Sequence, residues 1–322
     1  MILLVIILNV GCSRQKQNDI TYFEQPFPGD TAVVFAPGIV STHNHEHSRL
    51  EFSKDGSQIF WAVIPVDTNY LSETGRPFRP DEQNIWYSKF IDGKWTDPAI
   101  FELTKNIGGS SPAFSPDGYF LYYRTPVLNA DPSIRPKPSQ PWKVKFNNGN
   151  WGEPVKENNL IPTVDRQTYM SFCFADNGNL YFDYGGPDSN GEWWWRIYMA
   201  EYKDGAYIAP VKLDNGINDG EVDWCPWVAP DESYLIFSSH REGNIGSGDL
   251  YISFRVDDEW TTPANMGPAV NTESQERFPS VSPDGKYIFF ARHMPETYSD
   301  IFWTDAKIIK ELKPSKLSIG DN

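Results

Sequence analysis

The sequence predicts an all-β fold, a five-bladed β-propeller built from four-stranded blades. Three observations lead to this prediction: many aromatic residues, many turn formers, and two motifs that recur in register along the chain. The 322 residues include 12 Trp, 16 Tyr and 20 Phe, together with 24 Gly and 26 Pro. Aromatic side chains favour strands, and Gly and Pro favour the tight turns that join short strands. This composition is typical of a repetitive β-protein.

The first motif is an aromatic residue three positions before a proline. In each copy a second aromatic residue lies nine positions earlier, and a turn dipeptide such as Asp92-Gly93 stands between the two. These fixed offsets predict a hairpin of two strands, each carrying one of the rings. The four copies are Trp95–Pro98, Trp151–Pro154, Tyr207–Pro210 and Trp260–Pro263.

The second motif is the turn Ser-Pro-Asp-Gly or a close variant. Pro suits the second position of a type I turn, and Gly tolerates the positive φ that closes it. An aromatic or aliphatic run follows every copy, which predicts one strand before the turn and one after it. The five copies are Ser53–Gly56, Ser115–Gly118, Ala175–Gly178, Ala229–Glu232 and Ser282–Gly285. Together the two motifs define strands a, b, c and d of a blade that repeats roughly every 53–62 residues.

The fifth copy has strands a, b and c but no aromatic-x-x-Pro segment. Phe35–Thr42, which precedes the first copy, resembles Met266–Thr272, which follows strand d of the fourth. We therefore expect the N-terminal strand to close the last blade, which removes a sheet edge and joins the two chain ends. The propeller is predicted to span residues 31–312, followed by a C-terminal tail at residues 313–322. The alternative is a six-bladed ring with one degenerate blade.

The best-formed copy of the repeat runs from Ala229 to Ala291. It contains Phe-Ser-Ser-His-Arg-Glu-Gly at 237–243, Asp-Leu-Tyr at 249–251 and Pro-Ser-Val-Ser-Pro-Asp-Gly at 279–285. With the Trp-x-x-Pro segment, these motifs resemble the PD40 repeat, the WD40-like propeller repeat of TolB and of many bacterial lipoproteins. The resemblance implies a TolB-like propeller, with six blades as the TolB-like alternative, but it implies little about chemistry because a fold does not fix a function.

The first residues are typical of a secretory signal. Residues 1–11 form an apolar run that is far too short for a stable membrane-spanning helix, and the run ends at Gly11-Cys12. A small residue before Cys resembles the lipobox of bacterial lipoproteins. This implies a signal peptide at residues 1–11, lipidation of Cys12, and a tether at residues 12–30. Ser13 then implies the outer membrane, facing either the periplasm or the cell surface.

Two details of this N-terminus depart from the lipobox pattern. Asn9 stands where Leu is usual, and no Lys or Arg precedes the apolar run. The alternative is a signal peptide with an incidental cysteine.

The formal net charge of −15 excludes some classes of partner. Binding to nucleic acid requires clustered Lys and Arg, and docking on an anionic membrane surface requires a basic patch. We therefore expect no nucleic-acid partner and contact with a membrane only through the N-terminal lipid. We also expect a monomer.

The two ends of the predicted blades differ. The a–b and c–d turns are short and alike, and they share one face, the turn face. The b–c loops and d–a connections are long and individual, and they share the opposite face, the loop face, where binding sites usually form. All five His residues fall on the loop face or at its margin. The candidate binding residues there are His43, His45, Glu46, Arg49, Arg124, Arg166, Asp223, Trp224, Glu276 and Arg277. Buried ion pairs between blades would give the same set.

The segment His43-Asn-His45-Glu-His47 is a candidate metal site. In an extended chain, residues two apart point to the same side, so three imidazoles would form one row. Histidine is a common transition-metal ligand. The sequence indicates no certain cofactor. A divalent metal at His43, His45 and His47 is one interpretation of the segment, and a solvated or hydrogen-bonded loop is the alternative.

Two functions of different classes follow. The first is a binding or accessory module that holds a polysaccharide or an envelope protein on the loop face. The second is a polysaccharide-degrading enzyme, either a hydrolase or a uronate lyase. A uronate lyase needs a cation to neutralise the substrate carboxylate and a base to take the α-proton. The catalytic residues are unknown, and the candidates are His47, His240, Arg241, Arg292 and His293.

Two weaker features complete the prediction. Trp193–Trp195 is placed in a b–c loop, where the rings would stack on sugars or cover the blade edge. Cys173 and Cys225 lie at different heights on neighbouring inner strands, so no disulfide is expected between them.

Overall fold

The computed structural model describes residues 21–67, 69, 82–125, 139–147, 149–161, 168–187, 190–294 and 298–315. The first strand is β1 (Val33–Val34). Blade one contains β2 (His45–Glu46), β3 (Glu51–Phe52), β4 (Gln58–Ile64), β5 (Asn84–Ile91), β6 (Lys94–Trp95) and β7 (Ala99–Ile100). Blade two contains β8 (Ser110–Phe114), β9 (Phe120–Arg124), β10 (Pro141–Asn147), β11 (Asn150–Trp151) and β12 (Val155–Lys156). Blade three contains β13 (Phe172–Phe174), β14 (Leu180–Pro187), β15 (Trp193–Ala200), β16 (Tyr202–Lys203), β17 (Ala206–Tyr207) and β18 (Val211–Lys212).

Blade four contains β19 (Val222–Val228), β20 (Tyr234–His240), β21 (Asp249–Val256), β22 (Glu259–Trp260) and β23 (Ala264–Asn265). Blade five contains β24 (Glu276–Val281), β25 (Tyr287–Arg292) and β26 (Asp300–Asp305), and the helix α1 (Lys307–Leu312) follows it. Within each blade the strands pair antiparallel in chain order, as β24–β25–β26 do. This is the predicted four-stranded a–b–c–d order.

The N-terminal strand closes the last blade, as predicted. Strand β1 pairs antiparallel with β26, with Val33 opposite Trp303 and Val34 opposite Phe302. It therefore takes the outermost position of blade five, which β23 takes in blade four. The all-β propeller fold is confirmed, while the count of five blades against six stays a prediction that this closure supports.

The Ser-x-Asp-Gly turns are held by their own side chains. The Ser53 hydroxyl donates to Asp55 at 2.6 Å and accepts the Gln58 amide at 2.9 Å. The turns at Ser115 and Ser282 repeat these bonds. Gly56 closes the first turn at φ 71°, a conformation that glycine adopts without strain.

Apolar side chains fill the gaps between consecutive blades. The cluster of Phe60, Phe114 and Leu121 joins blades one and two. The cluster of Trp61, Phe289 and Trp303 joins blade one with blade five. Burial is thus distributed around the ring, and the two ends of the chain meet in one cluster.

The innermost strands of blades two, four and five each contain a β-bulge at the equivalent position. The register shifts lie between Ser110 and Ala113, Trp224 and Trp227, and Arg277 and Ser280. In each bulge a residue with positive φ precedes a proline: Ser111 (51°), Cys225 (51°) and Phe278 (55°). Proline cannot donate to a strand ladder, and a bulge accommodates it while re-aiming the neighbouring side chains.

Two smaller predictions have clear outcomes. Trp193–Trp195 does not lie in a loop, because β15 begins at Trp193 and pairs residue by residue with β14 as far as Pro187. Trp195 is buried, since the long hairpin carries it into the frame. Cys173 and Cys225 are free and buried, as expected. Among the described residues no helix is long and apolar enough to span a membrane.

Candidate functional site

The inner strands β3, β8, β13, β19 and β24 lie side by side around a central channel. At the loop-face end of this channel, blades one, two, four and five bring side chains together. We call this the channel-mouth site, and it consists of His45, His47, Gln83, Ser110, Arg124, Trp224, His240, Gln275, Arg277 and Phe278.

Among the residues that the structure describes, Arg277 is a buried guanidinium with no carboxylate against it. Its side chain is 9% exposed, its Nη2 lies 3.4 Å from His45 Nε2, and its Nε is buried with no hydrogen-bond partner. Its carbon Cζ lies 5.5 Å from the Phe278 ring centroid. Burial lowers the pKa of Arg277. A buried charge without a counter-ion is costly, so this position favours an anion.

Arg124 is the second buried cation of the site and is 7% exposed. Its guanidinium donates to the Met170 carbonyl at 2.9 Å and to the Ser139 hydroxyl at 3.0 Å. Burial lowers its pKa, and the more distant Asp183 is among the groups that raise it. In register Arg124 faces Ser110, whereas Arg292 at the same place in blade five faces Glu276. Blade two therefore keeps the arginine and lacks the acid.

His45 and His47 lie beside these cations as neutral imidazoles. Their ring centroids are 5.0 Å apart, and His47 lies 5.2 Å from the Phe278 ring. Burial, with help from Arg277, lowers the pKa of His45 to about 3 and that of His47 well below its ordinary value. His47 Nδ1 lies 3.3 Å from the Gln83 amide nitrogen, which also donates to Ser110 at 3.1 Å.

Trp224 and His240 form the aromatic edge of the site. Their rings meet edge to face at 5.6 Å, and Trp195 packs against Trp224 at 6.3 Å. His240 Nε2 lies 3.0 Å from the Gln275 amide nitrogen, and burial lowers the pKa of His240. Trp224 is half-buried, so one part of its ring remains open to a ligand.

Four other predicted residues belong to the frame. Arg241 pairs with Asp223 at 2.7 Å, and Arg292 pairs with Glu276 at 2.7 Å. Each arginine also donates to a carbonyl of the preceding d–a connection, as Arg292 does to Val270 at 2.7 Å. These pairs anchor the d–a connection to the blade. The four residues thus form buried ion pairs, which is the alternative to a binding role that the sequence left open.

Arg49 also acts within the frame. It is fully buried and donates to the Ser171 hydroxyl and to the Phe172 carbonyl, the latter at 2.7 Å. It thereby crosses the channel from blade one to blade three.

The remaining predicted residues are more scattered. His43 and His293 are exposed. Glu46 is buried and accepts hydrogen bonds from the Thr42 hydroxyl and amide at 2.8 and 3.2 Å, and burial raises its pKa to about 9. Arg166 and Cys12 lie outside the described residues.

The predicted row of three imidazoles is not formed. His45 and His47 are together, but His43 turns to solvent, because only two of the three residues lie on the buried side of the segment. No group of three His, Cys, Asp or Glu residues in the described part of the chain is arranged to hold a metal.

Sequence reasoning missed Gln83, Ser110, Gln275 and Phe278. A signal was present for Phe278, since Arg277-Phe278-Pro279 repeats the bulge pattern of Ser110-Ser111-Pro112 and Trp224-Cys225-Pro226. The two glutamines have no such signal, because loops bring them to the site.

No protein-family model matches the chain, and no curated protein matches it. Solved structures resemble it in fold. One described as a glycoside hydrolase has a TM-score of 0.52 at 10% identity, covering 84% of this chain and 92% of its own. A Dyadobacter fermentans protein of unknown function has a TM-score of 0.49 at 14% identity, covering 86% of this chain and 83% of its own.

TolB from Acinetobacter baumannii has a TM-score of 0.43 at 14% identity, covering 79% of this chain and 53% of its own. This chain thus spans about half the length of that TolB. At such identities the likeness concerns the propeller fold alone. Membership of the PD40 repeat family stays a prediction.

Proposed function

We propose that this propeller is a binding module that holds an acidic polysaccharide at the channel-mouth site. The observation that carries the proposal is Arg277, a nine-tenths buried guanidinium that, within the described ranges, has no carboxylate against it and an Nε without a hydrogen-bond partner. Arg124 supplies a second buried cation, which forms no ion pair with any residue that the structure describes. In a chain with net charge −15, these two cations mark a local site for an anion.

The site offers the contacts that a uronate ring requires. Arg277 presents the planar donors that match a carboxylate, and Trp224 presents an aromatic edge for a sugar ring. The neutral His45 and His47 and the amides of Gln83 and Gln275 supply hydrogen bonds without adding charge. Acidic sugar residues are therefore favoured over neutral ones.

The enzymatic alternative is less well supported by the same geometry. A lyase needs a base whose pKa lies near the working pH. Burial and Arg277 lower the pKa values of His45 and His47 far below that range, so neither imidazole is poised as a base in the free protein. A module that binds the polysaccharide without cleaving it needs the cations and hydrogen-bonding groups of the site but no such base.

The test is titration calorimetry with oligogalacturonate and oligomannuronate, with ultraviolet absorbance followed in parallel for an unsaturated lyase product. Arg277→Gln is expected to weaken binding by about tenfold or more, because it removes the charge and keeps hydrogen bonding. Arg255→Gln is the matched control, since Arg255 pairs with Glu232 on the turn face. Equal binding by wild type and Arg277→Gln contradicts the proposal, and a rise in absorbance favours the lyase.

We further propose an extracytoplasmic, lipid-anchored location, on the sequence of residues 1–13. Metabolic labelling with a fatty acid is expected to mark the wild-type protein and not Cys12→Ser. Equal labelling of both, or of neither, contradicts the anchor.

A further inference from the structure

A cleft of about 720 Å³ opens on the turn face between blades two and three. Its rim includes the a–b turns at Asp117 and Asn177 and the c–d turn at Gly205. The channel-mouth site lies at the loop-face end of the channel, so the cleft is a separate feature of the molecule.

In two other gaps a tryptophan of the aromatic-x-x-Pro motif fills the corresponding space. Trp151 of blade two meets Phe101 and Phe60 of blade one at 5.3 and 5.9 Å. Trp260 of blade four meets Tyr181 of blade three at 6.2 Å. In blades two and four the motif ring thus packs against the blade that precedes it.

Blade three carries Tyr207 at this position, and Tyr207 lines the cleft. A phenol is smaller than an indole, and this phenol packs sideways on Tyr202 of its own blade at 5.1 Å. The space that Trp151 takes between Phe60 and Phe114 is therefore left open between the equivalent residues Tyr122 and Phe174. The cleft therefore results from a single difference between the repeats, Tyr207 in place of the tryptophan found at this position in blades two and four.

The walls of the cleft are aromatic. Tyr122 and Phe174 pack at 5.0 Å on one side, while Tyr202 and Tyr207 form the other. Tyr202 is 45% exposed, and Tyr122, Phe174 and Tyr207 are half-buried, so ring surface remains open to the cleft. Open aromatic faces within a cavity of this size are typical of small-ligand sites.

The polar groups of the cleft are balanced in charge or negative. Lys143 pairs with Glu157 at 2.6 Å beside the Tyr122 ring. Asp117 and Asp176 are exposed at the rim. Burial, followed by the neighbouring phenols of Tyr122 and Tyr202, raises the pKa of Tyr207, so its hydroxyl is protonated at neutral pH. This lining offers donors and acceptors but no uncompensated cation.

We propose that this cleft is a second binding site and that it takes a neutral saccharide. A sugar ring presents an apolar face to Tyr202 and Tyr207, and its hydroxyls hydrogen-bond with the Lys143–Glu157 pair and the tyrosine hydroxyls. Lys54 pairs with Asp176 at 3.3 Å, and the exposed carboxylate of Asp117 disfavours acidic sugars. The two sites thus differ in the charge that they select, and the second does not depend on the first.

The test uses calorimetric titration of the full chain with cellopentaose, xylopentaose, mannopentaose and laminaripentaose. Tyr207→Trp restores the ring found in the other gaps, and we expect it to weaken binding by about tenfold or more while keeping the fold. Tyr202→Ala removes one exposed wall and is expected to weaken binding to a similar extent. Tyr119→Ala is the matched control, because Tyr119 is 59% exposed near the cleft without lining it.

Binding of at least one pentasaccharide that both cleft variants weaken and Tyr119→Ala leaves unchanged supports the proposal. Binding that neither cleft variant changes, or no binding by wild type to any of the four, overturns it. Arg277→Gln separates the two sites, because it is expected to leave neutral-sugar binding unchanged. A loss of uronate binding alone therefore concerns the channel-mouth site and not the cleft.

Discussion

Arg49 of blade one donates a hydrogen bond of 2.7 Å to the carbonyl oxygen of Phe172 in blade three. The two residues belong to blades that are not neighbours, so this bond crosses the central channel. A second bond from the same guanidinium reaches the Ser171 hydroxyl, and Nη1 remains buried without a partner. Arg49 therefore links the ring across its centre at the cost of an incompletely satisfied buried charge.

Replacing Arg49 with Met is expected to lower the free energy of unfolding by about 2 kcal/mol, because two buried acceptors lose their donor. The loss is moderate because the substitution also removes the unpartnered Nη1. Urea denaturation measures the effect, and exposed Lys145→Met serves as the control with a change of less than about 0.5 kcal/mol. A variant as stable as wild type would show that the crossing bond is neutral.

The Arg292–Glu276 pair is expected to behave as one buried unit. Arg292→Met and Glu276→Met each leave one buried charge without its partner, which costs about 3–5 kcal/mol. The double variant is expected to lose much less than the sum of the two, because it leaves neither charge behind. A double-mutant cycle by chemical denaturation measures this coupling, and additive losses would contradict it.

The repeat could be predicted from the sequence because local chemistry fixes it. Ser53 and Asp55 bond within one turn, so the motif carries its own structure. The closing strand was predictable because Phe35–Thr42 resembles Met266–Thr272, and both segments follow an outermost strand.

The candidate site was only partly predictable, because pairing across strands decides which charges remain free. Arg241 and Arg277 look alike in sequence, yet Asp223 neutralises the first and no carboxylate in the described part of the chain neutralises the second. The register places Arg124 opposite Ser110 and Arg292 opposite Glu276. A single sequence does not identify these cross-strand partners, because the register between the strands must be known first.

Glu46 is the converse case, a buried acid that no arginine of the described residues pairs with. Val63 faces it in register, at the place where Arg292 faces Glu276. Burial raises the pKa of Glu46 to about 9, above its ordinary value in an unfolded chain. The folded state then binds the extra proton, so this group lowers stability as pH rises from the unfolded pKa toward about 9.

Glu46→Gln is therefore expected to be more stable than wild type at about pH 8, and to show a smaller loss of stability with rising pH. Gln keeps the shape and the bonds from Thr42 without the ionisable group. Thermal unfolding followed from about pH 5 to about pH 9 measures the difference. Parallel curves for the two proteins would mean that Glu46 does not titrate in this range.

His45 is expected to couple ligand binding to pH. In the free protein, burial and Arg277 lower its pKa to about 3, so it is neutral at neutral pH. A bound uronate offsets the charge of Arg277 and raises the pKa of His45 in the complex. Binding that raises a pKa becomes stronger as pH falls toward the pKa of the complex, so uronate affinity is expected to increase as the pH is lowered from neutrality.

His45→Gln tests this coupling, because it keeps a polar side chain at the position and cannot gain a proton. Calorimetric dissociation constants for oligogalacturonate at about pH 7, 6 and 5 are expected to improve for wild type and to stay level for the variant. The exposed His43→Gln is the matched control and is expected to follow wild type. Wild-type affinity that falls steadily over this range would place the bound carboxylate away from Arg277 and His45, and the acidic-ligand proposal would then lose its site.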